Sequence, residues 1–238
     1  MKFLILLWSS LLFYQCAEQP QQVDLKLEKG FHQDLTIEMT MSAGEDSMFI
    51  QTAIDVQLDF VGPNKFKWLY QLEEFYSFSL FNGSSHVVDS KISIPSPFSS
   101  LFENKIQVET DEKGKPLNKY SFVNGKEVPT TASVLNLDLM CILFPEEKIA
   151  LGSRWSYSTH NPFKGGSRSV SCRVVKIDDQ EIKLELTAKV AGPFRKIHQT
   201  GKGFCRLDRK SLRLKNLEIT VPSSNQTTRY KIYEQASQ

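Results

Sequence analysis

The sequence predicts a mainly β protein whose strands form a strongly curved antiparallel half-barrel or open barrel, with one covering helix at about residues 130–144. Three observations support this fold class. Apolar and polar residues alternate over unusually long stretches, which is the pattern of half-buried strands. Turn residues such as Asn82-Gly83 separate those stretches. Only one long segment carries apolar residues at helical spacing.

The first three predicted strands are long and cover residues 35–41, 48–60 and 66–80. If it were straight, the third would extend roughly 45–50 Å at about 3.3 Å per residue. That length exceeds the diameter of a compact domain of this size, so we expect the strand to twist and curl around a core.

The rest of the chain repeats the alternation in shorter units. A hairpin is predicted within residues 106–122, and further strands are predicted at 154–159, 168–177, 181–190, 196–206, 211–221 and 226–234. In the strand at 211–221 the apolar phase slips by one residue. A β-bulge near Lys215-Asn216 is therefore expected.

Two segments break the β pattern. A helical turn is predicted near residues 96–102, and the covering helix has Thr130 as a candidate cap and Pro145 as its stop. No linker rich in Pro, Gly or Ser divides the chain of 238 residues. We therefore expect one β-rich domain over residues 23–238, because a single all-β domain can fill that length.

The N-terminus predicts export. Residues 1–15 have the short positive start and the apolar run of a signal peptide, and that run is too short for a bilayer span of about 20 residues. Cys16, followed by a polar tether at 16–22, is the candidate lipidation site, through which acyl chains would attach the protein to a membrane. The alternative is a conventional signal peptide with an incidental cysteine.

Charge and motif content argue against several function classes. The 29 Lys and Arg residues against 27 Asp and Glu give a net charge of +2, so no nucleic-acid partner is expected. The four histidines lie apart in the sequence, without the spacing of a metal motif or catalytic pair. The sequence therefore predicts no enzyme activity, no metal site and no cofactor.

The later cysteines leave two interpretations open. Cys172 and Cys205 lie in predicted strands and are candidates for a disulfide across the sheet, whereas Cys141 is expected to be buried on the helix. Equally, all three can be core thiols.

The candidate ligand site is a set of apolar residues predicted to share one concave face, mostly an aromatic wall on a single hairpin. The set is Ile54, Leu58, Phe60, Phe66, Trp68, Tyr70, Tyr76 and Phe78, with Leu137 and Met140 from the covering helix. Such a face either fills itself with side chains or leaves a groove for an apolar ligand. The periodicity is the same in both cases.

Several features together resemble a family of uncharacterised bacterial exported lipoproteins. They are the signal with Cys16, the opening run at 25–30, the long hairpins, Phe144-Pro145 after the predicted helix, and the run from Leu151 to Trp155. The layout is more distantly similar to the periplasmic lipoprotein carriers LolA and LolB, whose curved sheet and covering helices hold acyl chains.

The resemblance implies a lipid-anchored protein of the bacterial cell envelope, on the periplasmic or outer-membrane side. The function expected is non-enzymatic binding of a lipid or acyl chain. The alternative is a structural or protein-interaction lipoprotein with a filled core.

Overall fold

The computed structural model describes residues 22–90, 106–115, 117, 120–123, 126–129, 142–161, 166–191 and 198–235. Several predictions fall outside these ranges: the signal peptide, the candidate lipidation site Cys16, the helical turn near 96–102 and most of the covering helix, residues 130–141. Leu137, Met140 and Cys141 belong to that last segment.

Thirteen strands form one antiparallel sheet in the order β7-β6-β5-β3-β2-β1-β13-β12-β11-β10-β9-β8, with β4 paired to β3. The strands are β1 (Phe31–Ala43), β2 (Asp46–Gly62), β3 (Lys65–Phe81), β4 (Ser84–Asp89), β5 (Ile106–Thr110), β6 (Tyr120–Val123), β7 (Lys126–Pro129), β8 (Arg154–Asn161), β9 (Gly166–Ile177), β10 (Glu181–Ala191), β11 (His198–Asp208), β12 (Leu214–Pro222) and β13 (Thr227–Glu234). Among the described residues no pairing joins β7 to β8, so the sheet is open. The mainly β, antiparallel prediction is confirmed.

The first three strands are long, as predicted, and extend beyond the predicted ranges. β1 has 13 residues, and β2 and β3 have 17 each. The turn between them places Asn64 at a φ of 54°, in the left-handed region that Asn tolerates. The next turn uses Asn82 and Gly83, with φ values of 49° and 77°, as a two-residue hairpin loop requires.

The sheet is strongly curved. Tyr70 of β3 and Leu207 of β11 line the same small cavity, although β2, β1, β13 and β12 lie between their strands. In a flat sheet five strand spacings would separate them by about 24 Å. The face that carries Tyr70 and Leu207 is called the inner face here, and the opposite one the outer face.

The core lies on the inner face. It contains apolar side chains from both halves of the sheet, among them Leu35, Ile54, Leu184, Leu217 and Ile232, each at most 1% exposed. Trp155 packs against this cluster, and its Nε1 donates a hydrogen bond to the carbonyl of Leu143 at 2.8 Å.

Three irregular segments close one end of the inner face: residues 22–30, 111–115 and 142–150, together called the closed end. Val23 pairs with Ile149, and the Phe144 amide donates to the carbonyl of Lys113 at 2.9 Å. The Lys113 ammonium is buried and donates to Asp24 Oδ1 at 2.6 Å. This hydrogen bond is the main reason that the pKa of Asp24 is lowered.

The covering helix was expected to extend to residue 144. Residues 142–144 have no regular secondary structure, and the described part of the chain contains no helix. A helix at 130–141 stays a prediction. In the described residues the closed end covers the core at the place where the helix was expected. Its backbone hydrogen bonds hold these extended segments across the core.

Four register shifts interrupt the strand pairings of the described residues, and two of them bear on the predictions. Arg206 pairs with Asn216 whereas Leu207 pairs with Leu214, so Lys215 is the extra residue and the predicted bulge is confirmed. A second bulge was not expected: Ala53 pairs with Glu74 and Ile54 with Leu72, which leaves Glu73 extra in β3.

The bulge at Glu73 overturns the prediction of one aromatic wall. Before it, Trp68 and Tyr70 pair with Leu58 and Val56, on the inner face. After it, the two later aromatic residues of the set, Tyr76 and Phe78, pair with outer-face residues Gln51 and Phe49. The rings of Phe49 and Tyr76 lie 6.2 Å apart there. Directly paired residues share a face, so the extra residue places the two aromatic groups on opposite faces.

The candidate disulfide is absent. Cys172 in β9 and Cys205 in β11 are both free thiols, and β10 lies between their strands. Two strand spacings amount to about 9.6 Å, whereas disulfide Cα atoms lie within about 7 Å. Both cysteines are buried core residues, and burial raises the pKa of Cys172 to about 12.

Candidate functional site

The inner face has two parts that differ in packing. Its filled half lies under the closed end and contains five of the ten predicted ligand residues. Its open half lies toward the β1–β2 turn, at residues 44–45. The two halves are continuous because β1 and β2 keep one unbroken register from Phe31 and Leu58 to Ala43 and Asp46.

Four predicted ligand residues are buried in the filled half. Ile54, Leu58, Phe66 and Tyr70 are each at most 2% exposed. Residues that are so completely covered are core residues, and a ligand could reach them only if their neighbours moved. Their role as ligand contacts stays a prediction.

The cavity in the filled half is small. Its volume is about 30 Å³, and Gln33, Trp68, Tyr70, Phe144 and Leu207 are among the side chains that line it. One water molecule occupies about 30 Å³ in the liquid, so this space cannot contain an acyl chain. Gln33 Oε1 is buried and has no hydrogen-bond partner in the described structure.

Trp68 is held tightly beside that cavity. Its ring stacks on Tyr70 with centroids 6.1 Å apart and meets the Phe31 ring edge-on at 5.7 Å. Its Nε1 donates a hydrogen bond to Thr110 Oγ1 at 3.0 Å. This geometry leaves the indole no free polar atom for a ligand.

The remaining predicted ligand residues are scattered. Phe60 is 55% exposed at the rim of the sheet, where its ring packs on Phe66 at 5.5 Å. Tyr76 and Phe78 lie on the outer face, and Leu137 and Met140 lie outside the described residues. The structure therefore does not bring the predicted set together.

The open half carries apolar residues that the prediction did not include. Its inner-face positions on four neighbouring strands hold six half-buried apolar residues: Met39, Met41, Met48, Ile50, Val221 and Tyr230. The first four belong to neither core cluster. On β3 the positions opposite Met48 and Ile50 are Ser79 and Ser77, which have small side chains.

Methionine makes this surface adaptable. Its side chain is flexible and polarisable, and it is common at surfaces that accept varied apolar partners. These residues can be assigned to one continuous surface only once the pairing of β1 with β2 and β13 is known. The alternation of Met39, Met41 and Met48 was the signal in the sequence, but alternation alone does not separate filled from open parts of a face.

Comparisons with known proteins do not assign a family. No family model matches the chain, and no curated protein matches it. Among solved structures, one that describes lipid–protein interactions in lipovitellin is similar to this chain. The two chains are 8% identical with a TM-score of 0.38, and the match covers 90% of this chain and 26% of that one. The chain thus spans about a quarter of the lipovitellin chain.

Two further structures have comparable length. The hypothetical lipoprotein YmcC from Escherichia coli K12 is 10% identical, with a TM-score of 0.28, covering 94% of this chain and 96% of that one. DynF from the dynemicin biosynthesis pathway of Micromonospora chersina is 8% identical, with a TM-score of 0.22 and coverage of 93% and 88%. TM-scores below 0.5 support no functional argument, and similarity to LolA and LolB stays a prediction.

No helix among the described residues is long and apolar enough to span a bilayer. Attachment through Cys16 and an envelope location stay predictions, because residues 1–21 are not described.

Proposed function

We propose that the protein binds an apolar ligand, a lipid or an acyl chain, on the open half of the inner face. The observation that carries the proposal is the continuation of the apolar inner face beyond the core. There Met39, Met41, Met48 and Ile50 are half-buried and belong to no core cluster. Apolar area that stays in contact with water favours a ligand that removes it, by roughly 25 cal/mol per Å².

The proposed site differs from the predicted one by a shift along the same face. In the filled half the cavity of about 30 Å³ excludes an acyl chain. In the open half the inner-face positions of β3 opposite Met48 and Ile50 are the small residues Ser79 and Ser77. We further propose, on the signal pattern alone, that Cys16 is lipidated and that the protein lies in a bacterial envelope. On the lack of catalytic motifs in the sequence, we also propose that it acts without catalysis.

The experiment uses the full chain purified from membranes. Lipids that copurify are identified by mass spectrometry, and melting curves are recorded against rising concentrations of a fatty acid and of phosphatidylethanolamine. A ligand of the native state raises Tm as its concentration exceeds its Kd. We expect a rise for at least one probe.

Two substitutions on one strand localise the ligand. Ile50→Gln on the inner face should weaken ligand binding, because it puts an amide into the apolar surface. Phe49→Gln is the matched control: it is adjacent in sequence, also half-buried, and on the outer face, where it pairs with Phe78. It should leave the ligand-induced rise unchanged.

The outcomes separate the two functions considered for this chain. If neither probe shifts the melting curve and no lipid copurifies, ligand binding is refuted. A loss of stability in Ile50→Gln of about 1–3 kcal/mol, the cost of burying an unpaired amide, would then favour the structural alternative with a filled inner face.

A further inference from the structure

The outer face carries a cluster of metal-ligating side chains on neighbouring strands. His32 and Asp34 of β1 and Asp55 of β2 each offer one ligand atom, and these atoms lie within 4.8 Å of one another. Asp34 and Asp55 are directly paired across the two strands, and His32 Nε2 lies 2.5 Å from Asp55 Oδ1. The side chains thus converge from a regular part of the sheet.

The bulge in β3 places a further carboxylate on the neighbouring strand. Glu73 is the extra residue there, and bulges redirect a side chain in this way. Its carboxylate is not among the ligand atoms that lie within 4.8 Å of one another, so the cluster consists of His32, Asp34 and Asp55.

The charges of this cluster are not balanced. Like charges directly opposite each other destabilise a sheet, yet Asp34 faces Asp55. In the described part of the chain neither carboxylate forms an ion pair with Lys or Arg. Only His32, whose side chain is 64% exposed, offsets the negative charge. A bound cation would remove the repulsion.

We propose that His32, Asp34 and Asp55 bind a divalent transition-metal ion. The imidazole nitrogen favours such ions over Mg²⁺ and Ca²⁺, which prefer oxygen ligands, and the two carboxylates complete a mixed N and O set. Zn²⁺ binds imidazole nitrogen and carboxylate oxygen at about 2.0–2.2 Å, so two ligand atoms on one ion lie up to about 4.4 Å apart. The three ligand atoms here lie within 4.8 Å of one another, close to that limit. This site lies on the face opposite the proposed ligand surface and does not depend on it.

The probe is Zn²⁺ alone, titrated into the metal-free full chain by calorimetry, with Mg²⁺ in a parallel titration. We expect one Zn²⁺ per chain, a rise in Tm with Zn²⁺, and much weaker binding of Mg²⁺. His32→Gln and Asp55→Asn should each weaken Zn²⁺ binding by about tenfold or more, since even substitutions beyond the ligands typically cost 10–100-fold.

Two controls test whether binding is specific to the cluster. His86→Gln removes another exposed histidine, on β4, and Asp59→Asn removes another carboxylate of β2. Both should bind Zn²⁺ like the wild type. If they weaken binding as much as His32→Gln does, the ion is held nonspecifically and the proposal fails.

A measurement on the unmodified chain covers the case in which a variant does not fold. In ¹⁵N NMR spectra of the imidazoles, Zn²⁺ should shift the ring nitrogens of His32 and leave those of His86 in place. Unshifted His32 signals, or no Zn²⁺ binding by the wild type, would overturn the site.

Discussion

Replacing Trp68 tests the packing of the filled half most directly. The indole stacks on Tyr70, meets Phe31 edge-on, and donates to Thr110, which is fully buried. Truncation of a packed Trp to Ala costs about 3–5 kcal/mol. That loss is a large part of the roughly 5–15 kcal/mol by which domains are stable. We expect Trp68→Ala to fold marginally or not at all.

The hydrogen bond can be separated from the ring packing by a double-mutant cycle. Trp68→Phe keeps an aromatic ring but leaves the Thr110 hydroxyl without its donor, and Thr110→Val leaves the indole N–H without its acceptor. Each single change should cost about 1–3 kcal/mol, because it leaves a polar group unsatisfied. The double variant should cost less than the sum of the two, with a coupling of roughly 0.5–3 kcal/mol.

Urea unfolding followed by circular dichroism measures these free energies, with the m-value as a check on the two-state assumption. If Trp68→Ala changes the free energy of unfolding by less than about 1 kcal/mol, the ring is not packed as described. If the two single changes are simply additive, the indole and the hydroxyl do not interact in solution.

Three further predictions concern other parts of the fold. Gly203→Ala should lower the free energy of unfolding by about 1–3 kcal/mol or more, because an added Cβ would lie 1.8 Å from the Glu218 carbonyl oxygen. Urea unfolding measures this change, and unchanged stability would refute the close approach. Burial raises the pKa of Asp208, but hydrogen bonds from Ser211 and its neighbours outweigh it and lower the pKa from 3.8 to about 2. The lowered pKa stabilises the fold above about pH 4, and this stabilisation is lost as the pH falls toward about 2. Asp208→Asn should therefore be about 2 kcal/mol less stable than the wild type at about pH 7, and the difference should disappear in acid. Urea titrations at several pH values would measure it. Cys172 and Cys205 should resist alkylation in the native protein and react after unfolding, as peptide mass spectrometry would show; rapid labelling of either one in native buffer would contradict their burial.

Much of the fold could be predicted because long alternation is a strong signal. The hairpins of β1 to β3 and the bulge at Lys215 follow from residues whose apolar phase is visible in the sequence. The bulge at Glu73 was hidden. Leu72 and Tyr76 keep the same even numbering on both sides of it, so the aromatic pattern looks continuous although the face has changed.

The candidate sites needed the three-dimensional register. Periodicity shows which residues share a face but not how much volume is left between them. The filled half and the open half of the inner face therefore have the same sequence pattern. The outer-face cluster escaped notice for another reason. Asp55 lies far from His32 and Asp34 in sequence and meets them only because β1 and β2 are neighbours. Spacing rules detect ligands on one element, not on two.

Deletion of Glu73 would test the faces assigned to β3 in a single variant. The deletion removes the extra residue of β3, so Leu72 stays opposite Ile54 and Glu74 stays opposite Ala53 in a regular ladder. The faces of all later β3 residues are fixed by β2 and should not change. The open half of the inner face therefore keeps its serines, and the rise in Tm with a fatty acid should persist. The proposed metal ligands lie on β1 and β2, so Zn²⁺ binding should persist in calorimetry as well. If the deletion abolished the fatty-acid response and left Zn²⁺ binding intact, the faces assigned to β3 would be wrong.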